Sequence, residues 1–214
     1  MDNQKRKNII FFGLLITIPI LAFGIYHWYE NNKQQLPVYG GIKKNALRKE
    51  KQHIISSFVF TNQQNKKINE TYIKNKIWVA DYFFTHCQSI CPKMSNNLKL
   101  VQQAFIKDED VKILSFTVDP QRDSAQRLHE YATLYHIDDS KWQLLTGDKK
   151  DLYRFARNDL QIIATAGDGG SDDFIHSDKL VLIDKNKHIR GYYDGTEKTE
   201  VEQLIKDINR LKQE

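Results

Sequence analysis

Cysteine and proline are both scarce in this chain of 214 residues: it has two of the first and four of the second. The cysteines, Cys87 and Cys91, lie so close together that a bridge between them would constrain little of the unfolded chain, so stability alone is a poor reason for the pair. Their Cys-x-x-x-Cys spacing is not the Cys-x-x-Cys of dedicated thiol–disulfide exchange enzymes. Pro19, Pro37, Pro92 and Pro120 are the only prolines, which leaves the last third of the chain without one. No internal repeat is present, so a solenoid is excluded. Nothing matches a nucleic-acid motif either, although the formal net charge is +5.

The cysteines end the stretch Trp78-Val79-Ala80-Asp81-Tyr82-Phe83-Phe84-Thr85-His86-Cys87-Gln88-Ser89-Ile90-Cys91-Pro92. Its first half is apolar, aromatic and of strand length; its second half reads as the start of a helix. On a helix, positions i and i+4 share a face about 5–6 Å apart at Cβ, so both sulfurs would converge. The unsatisfied N–H groups of a helix start also favour thiolate, the form that binds soft metals and attacks disulfides. A structural disulfide in an exported protein is the plainer alternative.

Lys5, Arg6 and Lys7 precede an uncharged run from Ile9 to Tyr26, with Trp28 and Tyr29 just beyond it. At about 18 residues the run is at the lower limit for a membrane-spanning helix. Positive residues before it and aromatics after it predict a retained anchor with a cytoplasmic N-terminus. Ala22-Phe23-Gly24 resembles a signal-peptide cleavage site and supports the competing reading. The eight residues ahead of the run leave no room for an organelle transit sequence, so a bacterial inner membrane is expected, with the rest of the chain on the periplasmic side. The expected layout is an N-terminus over 1–8, an anchor over 9–29, a polar, basic linker over 30–52 and one domain over 53–214.

In that domain, short β segments are expected around Asn62–Asn65, then a central strand over Ile77–Phe84 and a helix over Ser95–Ile106. A strand over Val111–Val118 follows. Asp123 is expected to cap a helix from Ser124 to about Tyr135. Trp142–Leu145 reads as a strand and Asp148 as the cap of Lys149–Arg157. Lys179–Asp184 and His188–Tyr193 form a hairpin, and Thr199 with Glu202 makes a capping box for the last helix. Parallel strands, a hairpin and a closing helix describe a thioredoxin-like α/β domain, a central mixed sheet flanked by helices and here preceded by one transmembrane helix.

Sites in such sheets lie beyond the carboxyl ends of the parallel strands, where Cys87, Cys91 and Asp119 arrive. The antiparallel strand beginning at Lys179 meets the same edge, so His176 arrives there too. Two thiolates and an imidazole suit Cu(I) and could adapt to Cu(II). Zinc competes, but structural zinc wants four protein ligands. His86 is a rival ligand, expected to point away from the sulfur face. His27 and His53 fall in or near the tether, and His129, His136 and His188 read as surface or helix-face residues. Asp119 reads either as a turn residue before Pro120 or as an acidic group that steers an acceptor. Tyr82, Phe83 and Phe84 read as strand core.

The segments Asp81–Pro92, Thr117-Val118-Asp119-Pro120-Gln121-Arg122-Asp123 and Ile175-His176-Ser177 together resemble the SCO/SenC copper-protein family, over most of the chain from about Pro37. The anchored layout resembles it too, although Gln88 stands where members often have proline. The resemblance implies one copper held by Cys87, Cys91 and His176, and a role in assembling the CuA centre of cytochrome c oxidase. A metallochaperone that passes copper to the CuA-bearing subunit or another acceptor is therefore expected. The alternative is a thiol–disulfide oxidoreductase using Cys87 and Cys91 as a redox pair. His176-Ser177 stands where such enzymes carry a proline before the hairpin strand, which disfavours that reading; a peroxidase is weaker still, since no peroxide-activating arginine motif stands beside Cys87.

Overall fold

The computed structural model describes residues 3–33, 35–40, 52–162 and 177–214. The chain divides into two compact units, one ending at Gln35 and one spanning Leu36–Gln213. The first is a single helix, α1 (Asn3–Lys33), with Pro19 inside it. Its segment Phe11–Tyr29 has a mean hydropathy of 1.7 and none of it is buried, so it is long and apolar enough to cross a membrane.

In the second unit β1 (Val59–Asn62) and β2 (Lys67–Asn69) form a hairpin, followed by β3 (Ile77–Phe83), α2 (Ile90–Ala104), β4 (Val111–Thr117) and α3 (Ala125–Leu134). Then come β5 (Trp142–Thr146), α4 (Lys149–Arg154) with a π-helical turn over Phe155–Asp159, β6 (Lys179–Ile183), β7 (Ile189–Asp194) and α5 (Lys198–Leu211). The sheet order is β2-β1-β5-β4-β3-β6-β7. β3, β4 and β5 run parallel, while β1, β6 and the outer strands are antiparallel to their neighbours. This is the thioredoxin-like mixed sheet that the element pattern predicts.

β3 is buried along its whole length because the sheet has an apolar layer on each side. Ile77, Val79 and Phe83 pack with Met94, Leu98 and Val101 of α2 and with Val201, Leu204 and Ile208 of α5. Trp78, Ala80 and Tyr82 face the other way, among Phe58, Phe60, Phe116, Leu152 and Phe155. Tyr82 and Phe83 are therefore core, as expected, and Phe84 is partly buried against both layers.

Several boundaries differ from expectation for identifiable reasons. Ser124, not Asp123, caps α3, its hydroxyl accepting from the Arg127 N–H at 3.3 Å. Asp123 is fully buried instead. Asp148 does cap α4, accepting from the Asp151 N–H at 3.1 Å. The Thr199–Glu202 box does not form: an Asp194-centred turn, in which its Oδ1 accepts from the N–H and hydroxyl of Thr196, starts α5 earlier, with Glu197 at the cap and no side-chain cap bond. A cap contributes about 1 kcal/mol. Each fully buried aliphatic side chain contributes about 1.5–3 kcal/mol, so the stripe Val201, Leu204, Ile208 and Leu211 outweighs the missing cap. Of the expected linker, Leu36 and Pro37 are held to this unit, their carbonyls accepting from the Arg190 guanidinium at 2.6 and 3.2 Å. Tyr39 bridges to Ile189.

The one carboxylate inside β3 has its own support. Asp81 is 2% exposed and accepts a hydrogen bond from the Ser115 hydroxyl, which in turn accepts from Trp142 Nε1 at 2.8 Å. Burial outweighs that bond and raises the Asp81 pKa to about 7. A raised folded-state pKa makes the stability contribution complete below the unfolded value near 3.8 and progressively lost as pH rises towards about 7. Chemical denaturation of the wild type should accordingly show stability falling across that interval, and Asp81→Asn should flatten the slope. An unchanged slope in the variant would assign it to other groups.

Candidate metal and thiol site

Both cysteines lie where the parallel strand β3 hands over to α2. The Cys87 N–H donates to the Phe84 carbonyl at 3.2 Å, closing a turn immediately after the strand. Ser89 occupies the cap position of α2 and makes no side-chain cap bond. The sulfur of Cys87 takes that place, accepting from the Cys91 N–H at 3.4 Å, and Ser89 Oγ lies 3.9 Å from it. Cys91, in the first turn, is 2% exposed, whereas Cys87 is partly exposed. The two sulfurs converge, but not because both ride one helical face: Cys87 precedes α2 and folds back over its N-terminus.

This geometry splits the thiols. Burial alone would raise the Cys87 pKa, but hydrogen bonds from the Cys91 thiol and N–H and from Ser89 outweigh it and lower the value. Burial pushes Cys91 strongly up, and so do its donation to Cys87 and the neighbouring negative charges of Cys87 and Asp81. The two sulfurs are thus unlike: Cys87 ionises more readily than an ordinary thiol, and Cys91 less readily. Both groups are unbridged, and soft-metal binding would use the pair once Cys91 gives up its proton.

The adjoining loop is built on Asp123. Its carboxylate accepts from the Thr85 hydroxyl at 2.6 Å, the Thr85 N–H at 3.2 Å and the Thr117 hydroxyl at 2.5 Å. Thr117 ends β4 and pairs with Phe83, so Asp123 ties the segment leading to Cys87 to the end of the next parallel strand. Sequence reading assigned Asp123 to a helix cap, because an Asp before Ser looks the same in either role. Asp119 lies at this edge as well; its carbonyl accepts from the N–H groups of Arg122 and Asp123, and its carboxylate is 3.5 Å from the Arg122 guanidinium.

His176 falls outside the described residues. The structure does give the direction of the next strand: β6 runs antiparallel to β3, with Ala80 opposite Val181, so Lys179 begins it at the cysteine-bearing edge. His86 is exposed, its Nδ1 3.3 Å from Thr85 Oγ1. His53 is held by the Asp159 carbonyl at 2.6 Å and His188 lies 3.6 Å from the Asp184 carboxylate, so both have other partners. Among the described residues, no three His, Cys, Asp or Glu side chains form a metal-sized cluster.

A family model described as SCO1/SenC matches residues 46–213. The SCO1 protein homolog of Bacillus subtilis (strain 168) is 30% identical over 72% of this chain and 80% of its own. Among solved structures, a SCO1/SenC family lipoprotein from Bacillus anthracis str. Ames is similar at 36% identity with a TM-score of 0.66, over 78% of this chain and 99% of that one. BsSco, described as a member of the Sco family of cytochrome c oxidase assembly proteins with a disulfide switch, is 28% identical with a TM-score of 0.64, over 83% and 97% of the two chains. Sco proteins solved with copper bound share the fold.

The split between the thiols predicts their order of reaction. Limiting iodoacetamide on the reduced, metal-free protein should label Cys87 ahead of Cys91, with a pH midpoint for Cys87 below that of an ordinary thiol, as read by peptide mass spectrometry. Equal labelling, or Cys91 first, would contradict the assignment.

Proposed function

The chain belongs to the SCO1/SenC family, and from that membership we propose that it is a membrane-anchored copper metallochaperone serving the assembly of cytochrome c oxidase. The observation that carries the reading is the Cys91 N–H placed 3.4 Å from Cys87 Sγ, which favours ionisation of that sulfur beside a second one at the sheet edge. Copper is the cargo: a soft monovalent ion is captured by Cys87, Cys91 follows as its proton leaves, and His176 completes a three-ligand site. The open side of such a site admits a ligand from the acceptor, which we take to be the CuA-bearing subunit of the oxidase. In this layout 1–8 is cytoplasmic, 9–29 is the anchor, 30–52 the linker and 53–214 the copper-binding domain on the periplasmic side of a bacterial inner membrane. The exposed apolar stretch Phe11–Tyr29 supports the anchor.

The split in thiol pKa values supports a second reading, a thiol–disulfide reductase in which Cys87 attacks an acceptor disulfide. Titration decides between the two. Reduced, full-length protein in detergent, titrated anaerobically with Cu(I) against a competing chelator, should take up about one copper per chain, and Cys87→Ser or Cys91→Ser should abolish tight binding. His176→Ala should weaken Cu(II) binding most, because thiolates alone tend to be oxidised by that ion. Absence of Cu(I) binding together with catalytic disulfide reduction would replace the first reading with the second; unchanged Cu(II) spectra in His176→Ala would reject that ligand.

A further inference from the structure

The helix α1 ends at Lys33, and Leu36 is already fixed to the domain. Arg190 clamps it there: Nη2 donates to the Leu36 carbonyl, Nε to the Pro37 carbonyl and Nη1 to the Asp184 carboxylate at 2.9 Å. Both Arg190 and Asp184 are buried, so the clamp is a charge-assisted fork shielded from solvent. Three steps of extended chain, from Lys33 to Leu36, span at most about 11 Å. A bilayer that holds α1 therefore lies within reach of this edge of the domain.

Beyond the clamp, the chain runs to the end of the sheet remote from the thiols. The Tyr39 N–H donates to the Ile189 carbonyl at 2.9 Å, and the Ile55 N–H to the Lys187 carbonyl at 3.1 Å. Gly40 packs so close to His53 that a Cβ on it would lie 2.9 Å from the His53 Cβ. Two segments are thus gathered at the turn between β6 and β7. Ile183 pairs with Trp78, so this turn lies where β3 begins, whereas the cysteines follow its other end. From Trp78 to Phe83, at about 3.3 Å per residue, is about 17 Å. This remote end exposes apolar side chains: Val38 is 40%, Tyr39 41% and Ile54 53% exposed, and Lys185 is exposed in the turn. Aromatic and aliphatic side chains beside a lysine are the chemistry of a lipid interface, where the apolar groups enter the acyl boundary and the cation meets phosphate.

We propose that the surface carrying Val38, Tyr39, Ile54 and Lys185 rests on the phospholipid interface of the membrane that holds α1, with the thiol edge turned away from it. The inference rests on the anchored reading of Phe11–Tyr29. The clamp supplies the geometry, because it leaves too little free chain for the domain to drift from the lipid. The thiols then work at a fixed height above the bilayer, facing an acceptor rather than the headgroups.

Photocrosslinking of the full-length protein in phosphatidylethanolamine–phosphatidylglycerol vesicles tests it. With p-benzoylphenylalanine in place of Tyr39, Ile54 or, near the thiol edge, the exposed Arg122, lipid adducts read by peptide mass spectrometry should be about fivefold more abundant at 39 and 54 than at 122. Val38→Asp combined with Lys185→Glu, both at exposed positions, should cut the adduct at 39 to the level at 122 while the near-UV circular dichroism stays that of the wild type. Adducts no more abundant at 39 and 54 than at 122, adducts there to a second copy of the chain, or an unchanged adduct in the double variant overturn the inference while the anchor stands. A full-length protein that carbonate washes off the vesicles takes the anchored reading down as well.

Discussion

Seven consecutive buried residues in β3 leave that strand no freedom of register. A slip of one position would exchange Trp78, Ala80 and Tyr82 for Val79, Asp81 and Phe83 across two differently shaped cores. With the strand pinned, the chain must leave the sheet at Phe83, turn once through the Cys87 N–H to Phe84 bond, and begin α2 within seven residues. The position of the sulfurs thus follows from core packing far below them. Parallel pairing with β4 extends the same constraint sideways, since Phe83 opposite Thr117 brings the Asp119 loop alongside.

Two of the buried carboxylates lie near the cysteine-bearing edge. Asp123 is satisfied by three donors and ties the segment leading to Cys87 to the neighbouring strand end. Asp81 has a hydroxyl donor and lies in the layer that also holds Cys91, so its charge opposes ionisation there. A buried carboxylate removed from its donors would cost several kcal/mol, which is why each comes with its own network. One carboxylate sets geometry; the other sets electrostatics.

The element order and the site edge were legible in the sequence because they rest on periodicity and on the rule that parallel strands deliver ligands at their carboxyl ends. Ile77–Phe84 differed from the observed strand by one residue, since an apolar run bounded by Thr85 has few other solutions. Asp148 was read correctly because a cap is a local bond. Asp123 and the Thr199–Glu202 box were misread for the same reason in reverse. Local pattern could not show that Asp123 reaches back to Thr85, a residue 38 positions away, or that Asp194 and Thr196 would start α5 early. The origin of the sulfur convergence was also illegible, because the spacing of four fits a shared helix face and a sulfur cap equally well.

The unequal exposure of Cys87 and Cys91 gives the pair a direction. If the two sulfurs join, an approaching thiolate reaches Cys87 and meets only the buried side of Cys91. The mixed disulfide therefore forms at Cys87 and frees the Cys91 thiol; a second thiol must then attack the visitor's own sulfur to release Cys87, because attack by Cys91 would only re-form the bridge. Reduction of such a bridge would therefore begin at Cys87, the partly exposed sulfur. The fold thus gives thiol exchange at this pair a single point of entry, the more exposed sulfur.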